Sequence, residues 1–161
     1  MKILTALQPF ASLIAFPDSD PLAKRIENRF AETPYRGPVL IHAGKSRERL
    51  RPDKTGEYDA VWGLPIAPMA FGAVVAVVNL MDCFRVTATS EGIQWMPREA
   101  ARRWPWVEKD RHAQGPVCWI LGNVRTLAEP IPWLGKQGLR EADVELVALA
   151  DRQLKGLEVG A

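Results

Sequence analysis

The residues able to do chemistry crowd into one stretch, 24 to 42. Lys24-Arg25-Ile26-Glu27-Asn28-Arg29 comes first, then Tyr35-Arg36-Gly37-Pro38, then an apolar run ending in His42. Lys24 and Arg29 can hold a phosphate, the guanidinium through two parallel hydrogen bonds. They can equally pair with Glu27 or Glu32 on a surface, where such a pair contributes ~0–1 kcal/mol. Glu27 can act as a general base if burial raises its pKa, or it can orient Lys24 or Arg29. Asn28 can read a base edge or bond backbone in a turn. Tyr35 can stack on a base, with Arg36 beside it. If the chain is an enzyme, Lys24 and Glu27 are its catalytic pair.

Outside this stretch the candidates are fewer. Phe10 and Trp104 could stack on bases, each stack contributing on the order of 1–3 kcal/mol, and Trp104 and Trp106 following Arg102 and Arg103 make a basic and aromatic mix that suits single strands. Phe10 also suits a core, and the two tryptophans around Pro105 also suit the anchoring of an irregular loop. His42 ends an apolar run, where a satisfied interior histidine is the commoner case. Cys118, between Val117 and Trp119, reads as core. Asp82 interrupts an apolar strand, and can either bond backbone or act as an acid.

These groups need elements to position them. The chain has 161 residues, 47% hydrophobic and 25% charged, which fits a single domain able to bury its own core. Its 13 prolines and 12 glycines fall largely between apolar runs, so short strands and turns are expected rather than a helix bundle. Cys83 and Cys118 have no Cys-x-x-Cys spacing and no histidine cluster, so no metal site and no cofactor are expected. Reduced thiols and the lack of a secretory signal point to a cytoplasmic address. The longest apolar run, Ala73 to Val78, is too short to span a bilayer, so no membrane role is expected. Residues 24 to 54 hold nine Lys or Arg against four Asp or Glu in a chain of net charge +2. That bias suits phosphate, nucleic acid or an acidic protein partner.

In chain order, Met1 to Ala6 reads as a strand. A helix follows from Gln8-Pro9, with Phe10, Leu13 and Ile14 facing inward. Pro17 to Pro21 is a loop. Lys24 to Phe30 is a strand, with Ile26 and Asn28 on one face and Arg25, Glu27 and Arg29 on the other; Lys24 falls with Ile26 unless the strand starts with a bend. Arg36-Gly37-Pro38 is a turn and Val39 to His42 a buried strand. Lys45 to Lys54 is a short helix or an exposed loop. Gly72 to Leu80 is a central strand covered on both faces, continued by Asp82 to Phe84. Residues 88 to 116 are irregular, with one or two helical turns from Pro97 to Arg103. Val117 to Leu121 is a strand, and Ile131 to Leu139 is broken by Gly and Pro. Asp143 caps a final helix with Leu146, Val147, Ala150, Leu154 and Leu157 inward. The sum is α+β, a small, partly closed β-barrel with flanking helices at both ends.

Several motifs occur together and in order: Gln8-Pro9-Phe10-Ala11, Lys24-x-x-Glu27-x-Arg29, Tyr35-Arg36-Gly37, Ile41-His42-Ala43, Gly72 to Asp82, and Gly115 to Asn123. In this order the chain resembles the ASCH domain family, a branch of the PUA-like β-barrels. The resemblance spans most of the chain. It implies one ASCH-like domain over 1–161, with a cleft lined by the Lys24–Arg29 strand and a role in binding RNA or single-stranded nucleic acid. The contacts would come from Gln8, Lys24, Asn28, Arg29, Tyr35 and Arg36, with Lys45 from the basic stretch. Some small members of the family are hydrolases acting on acylated cytidine. Glu27 stands where those carry a threonine nucleophile, so a hydrolase or ribonuclease here would rest on Lys24 and Glu27.

Overall fold

The structure is a computed structural model that describes residues 1–159, with side chains through residue 156. It is α+β. The strands are β1 (Lys2–Ala6), β2 (Ile26–Arg29), β3 (Gly37–Ala43), β4 (Ala73–Arg85), β5 (Thr87–Thr89), β6 (Gly92–Trp95), β7 (Val117–Pro132) and β8 (Leu139–Glu141). The helices are α1 (Phe10–Ala15), α2 (Arg98–Arg103) and α3 (Val144–Val159), with a 3-10 turn at Pro105–Lys109. Six strands hydrogen-bond in the order β2-β7-β4-β3-β1-β8, and β5 pairs with β6. The expected barrel is not closed, since β2 and β8 stand at the ends of that order. Among the described residues no helix is long and apolar enough to cross a membrane.

The chain divides into two compact units. One comprises Met1–Ala23, Pro38–Val78 and Val124–Ala161; the other comprises Lys24–Gly37 and Asn79–Asn123. In the first unit β1 runs parallel to β3 and antiparallel to β8. Its core joins Ile3, Leu40, Val74 and Val77 to Leu146, Ala150 and Leu154 of α3. The α3 spacing of four residues puts these three on one stripe, as the pattern predicts; the side chain of Leu157 lies outside the described residues. Asp143 precedes α3 as expected, but its carboxylate accepts from Trp133 Nε1 at 3.0 Å and Lys136 Nζ at 2.8 Å. The Lys45–Lys54 stretch forms turns and no helix.

In the second unit β2 pairs antiparallel with the start of β7, Ile26 opposite Ile120 and Arg29 opposite Val117. Ile26, Phe84, Val86, Met96, Ala100, Val107, Cys118 and Ile120 form its core. The fully buried Ile26 is what fixes the register here: a one-residue slip would turn Glu27 into that core.

Several expected boundaries move. The strand expected over Lys24–Phe30 is only Ile26–Arg29, because Lys24 bends back and donates to the Ile26 carbonyl instead of joining the ladder. The turn expected at Arg36-Gly37-Pro38 is already the start of β3, with Gly37 at φ 126, a conformation open to glycine. β7 runs to Pro132 rather than stopping at Leu121, and the irregular 88–116 stretch contains the β5–β6 hairpin.

Candidate functional site

The 24–36 motif lies in the second unit, and its geometry starts from the two faces of β2. On one face Glu27 sits between two cations. Lys24 Nζ lies 2.5 Å from Oε2, and Arg29 Nη2 lies 2.9 Å from Oε1. Lys24 is only 3% exposed. Burial alone would raise the Glu27 carboxyl, but the Lys24 ammonium and then the Arg29 guanidinium outweigh it and hold the group below its ordinary value. Arg29 also stands over the Trp119 ring, 6.0 Å from its centre, and Trp119 Nε1 donates to the Ala31 carbonyl at 3.0 Å.

The opposite face holds Ile26 in the core and Asn28 above the 112–115 segment. Asn28 Nδ2 donates to the His112 carbonyl at 2.7 Å, while Oδ1 accepts from Gln114 N at 3.0 Å and Gly115 N at 2.9 Å. Its amide therefore builds the loop, and the backbone-bonding alternative for Asn28 is the one realised.

A second charged centre surrounds Asp82 on β4. Oδ1 accepts from Arg36 Nη2 at 3.1 Å and from Cys83 N at 2.9 Å; Oδ2 accepts from Arg103 Nη1 at 3.1 Å and Trp104 Nε1 at 2.9 Å. Burial would raise this carboxyl too, but the Trp104, Cys83 and Arg36 donors outweigh it and lower it. Arg36 Nη1 meanwhile bonds the Thr33 and Tyr35 carbonyls, both at 2.8 Å. Arg36 thus shapes the segment that carries Tyr35, which is half-buried and takes Thr33 Oγ1 on its own N–H at 3.2 Å. Trp104 packs against the unit's core.

Gln8 and Lys45 belong to the first unit. Gln8 is fully buried; Nε2 donates to the Ala70 carbonyl at 2.8 Å, and Oε1 accepts from Ser12 N and Oγ at 3.1 and 3.0 Å. Lys45 lays its stem on Gly72, where a side-chain carbon would meet Lys45 Cε at 2.8 Å. Phe10 meets Trp62 edge-on at 6.4 Å. His42 is buried, with Nδ1 at 3.3 Å from Thr5 Oγ1 and Nε2 at 3.1 Å from the Trp133 carbonyl, and burial lowers its pKa.

Two features were legible in the sequence only in part or not at all. Trp95 and Trp106 are 57% and 39% exposed on β6 and the 3-10 turn, and Phe30 is 88% exposed. All three lie in the second unit, which carries ten Lys or Arg against seven Asp or Glu. Trp106 was legible beside Arg102 and Arg103; Trp95, in a strand too short to show alternation, carried no signal. The other feature is an open cavity of about 760 Å³ between the 88–92 turn and residues 108–114, with Asp110 in its lining.

No protein-family model matches the chain, and no curated protein matches it significantly.

Proposed function

We propose that the chain is an ASCH-like domain of the PUA-type barrel class that binds single-stranded nucleic acid, RNA foremost. One observation carries this reading. The exposed indoles of Trp95 and Trp106 stand on the unit with the cation excess, which also carries the exposed residues Arg98 and Arg102. Flat aromatic faces that any base can stack on, set among cations that follow a backbone, are what a single strand needs. The ordered motifs of the sequence support the same class.

Within this reading the β2 motif is a framework. Lys24 turns its donors to Ile26 and Glu27, and presents no amine to a substrate. That favours binding over hydrolysis by a Lys24–Glu27 pair. Arg29, with its side chain 26% exposed, is the member of the triad that can reach a phosphate, held in place by Glu27 and Trp119.

The test is fluorescence anisotropy of a labelled single-stranded RNA and a matched DNA at two salt concentrations. Wild type should bind, with a log–log salt slope of about −0.7 per phosphate contacted. Trp95→Ala/Trp106→Ala should weaken binding at least about fivefold per lost stack. Salt-independent binding, or unchanged affinity in the double variant, refutes the proposal.

A further inference from the structure

The cavity beside the 88–92 turn is lined by three carboxylates, Glu91, Glu108 and Asp110, and Asp110 is the one the fold fixes. Asp110 Oδ1 accepts the His112 N–H at 2.7 Å, which closes a tight turn within the lining. Oδ2 takes no hydrogen bond among the described residues. The segment that follows is pinned by Asn28 through the His112 carbonyl and the N–H groups of Gln114 and Gly115. The wall is therefore held by β2, and Asp110 is oriented before any ligand arrives. Burial raises its carboxyl above the ordinary value, although the His112 N–H, Lys24 and Arg111 pull the other way.

The surroundings narrow the ligand. Thr89 and Ser90 lie in the lining, with Thr89 Oγ1 accepting the Glu91 N–H at 3.2 Å, and Lys109 and Arg111 flank Asp110. A volume of about 760 Å³ lies within the ordinary range for a small-molecule pocket. The two elements that bring Gly92 and Glu108 to the cavity, β6 and the 3-10 turn, also carry the exposed Trp95 and Trp106. A carboxylate with one oxygen open and a lone pair spare on the other asks for two adjacent N–H donors. Among nucleobases the guanine edge, with its ring N–H beside its amino group, offers that pair.

We propose that this cavity takes a guanine from the bound strand, with the Asp110 carboxylate accepting from the ring N–H and the 2-amino group. Lys109 and Arg111 offset the charge of Glu91, Glu108 and Asp110 in the same lining. The inference rests on the single-strand reading above, and gives it a base preference.

The experiment compares labelled RNA octamers on the full chain: all uridine, one central guanosine, and one central inosine, which lacks the 2-amino group. Wild type should bind the guanosine strand about tenfold more tightly than the uridine strand, with inosine between them, as a paired contact to a base edge implies. Asp110→Asn keeps an oxygen for the His112 N–H, and should bind all three strands alike at the uridine level. Equal binding of the three strands by wild type overturns the guanine pocket while leaving strand binding in place. A guanosine preference that survives Asp110→Asn overturns the role of Asp110. Binding of no strand at all overturns both proposals. The inosine strand needs no protein variant, so the comparison holds even if Asp110→Asn folds poorly.

Discussion

Replacing Lys24 by Met tests whether the buried triad on β2 stabilises the fold. Methionine keeps the stem and removes the charge. Breaking a buried pair by deleting one partner costs about 3–5 kcal/mol when the other charge is left uncompensated. Here Arg29 still holds Oε1 of Glu27 at 2.9 Å, and its side chain is 26% exposed. We therefore expect roughly half that cost, about 2 kcal/mol at neutral pH. The pH dependence gives a second readout. In wild type the Glu27 carboxyl is held below 4.5, so its contribution is full above that value and is lost as pH falls through the depressed pKa. Without Lys24, burial is opposed by Arg29 alone and the carboxyl rises. The stability gap between wild type and variant should then be widest at pH 7 and narrow towards about pH 4. Urea unfolding followed by the fluorescence of the six tryptophans measures both. A gap under about 0.5 kcal/mol at pH 7, the scale of an exposed pair, refutes the argument. So does a gap that widens on acidification.

Two further outcomes follow from the same unit and from β7. Asn28→Ala removes three hydrogen bonds to the 112–115 backbone and should cost about 2–3 kcal/mol. Hydrogen exchange at Gln114 and Gly115 should accelerate with it, while unchanged protection there would show that Asn28 does not hold the loop. Asn123 sits in β7 at φ 50, a left-handed conformation that asparagine and glycine tolerate. Asn123→Gly should therefore leave the thermal midpoint nearly unchanged, whereas Asn123→Val should lose about 1–2 kcal/mol. Equal midpoints for the two variants would remove the conformational explanation.

What the sequence made legible was the part set by burial alone. β4 declares itself because Ala73 to Val78 are all buried, which leaves no alternation and a single apolar run. The α3 stripe is visible for the opposite reason, since only one side of the helix enters the core. The hairpin Thr87–Trp95 escaped because strands of three and four residues are too short to show a period, though Gly92 at φ 117 marked its turn. β7 beyond Leu121 was hidden by Gly122 and Pro130, which interrupt a reading made residue by residue while the ladder continues. The motif at 24–36 was found, but the roles within it depended on contacts distant in sequence. Arg36 meets Asp82, and Asn28 meets Gln114, across separations that no local pattern encodes.

Those distant contacts explain why four residues of β2 can govern a whole unit. Alternation gives the strand two unlike faces. Glu27 gathers Lys24 and Arg29 on one, and Asn28 fixes the cavity wall on the other. Ile26, buried against Ile120, locks the register that keeps each face where it is. A substitution at Ile26 should therefore loosen the ion-pair triad and the 112–115 loop together, although it touches neither charge nor amide. Damage to Glu27 should instead stay on its own face and leave the Asn28 hydrogen bonds intact. This asymmetry separates a strand that merely carries contact residues from one that organises the unit: in the first case Ile26→Ala and Glu27→Gln would disturb the same amides, in the second they would not.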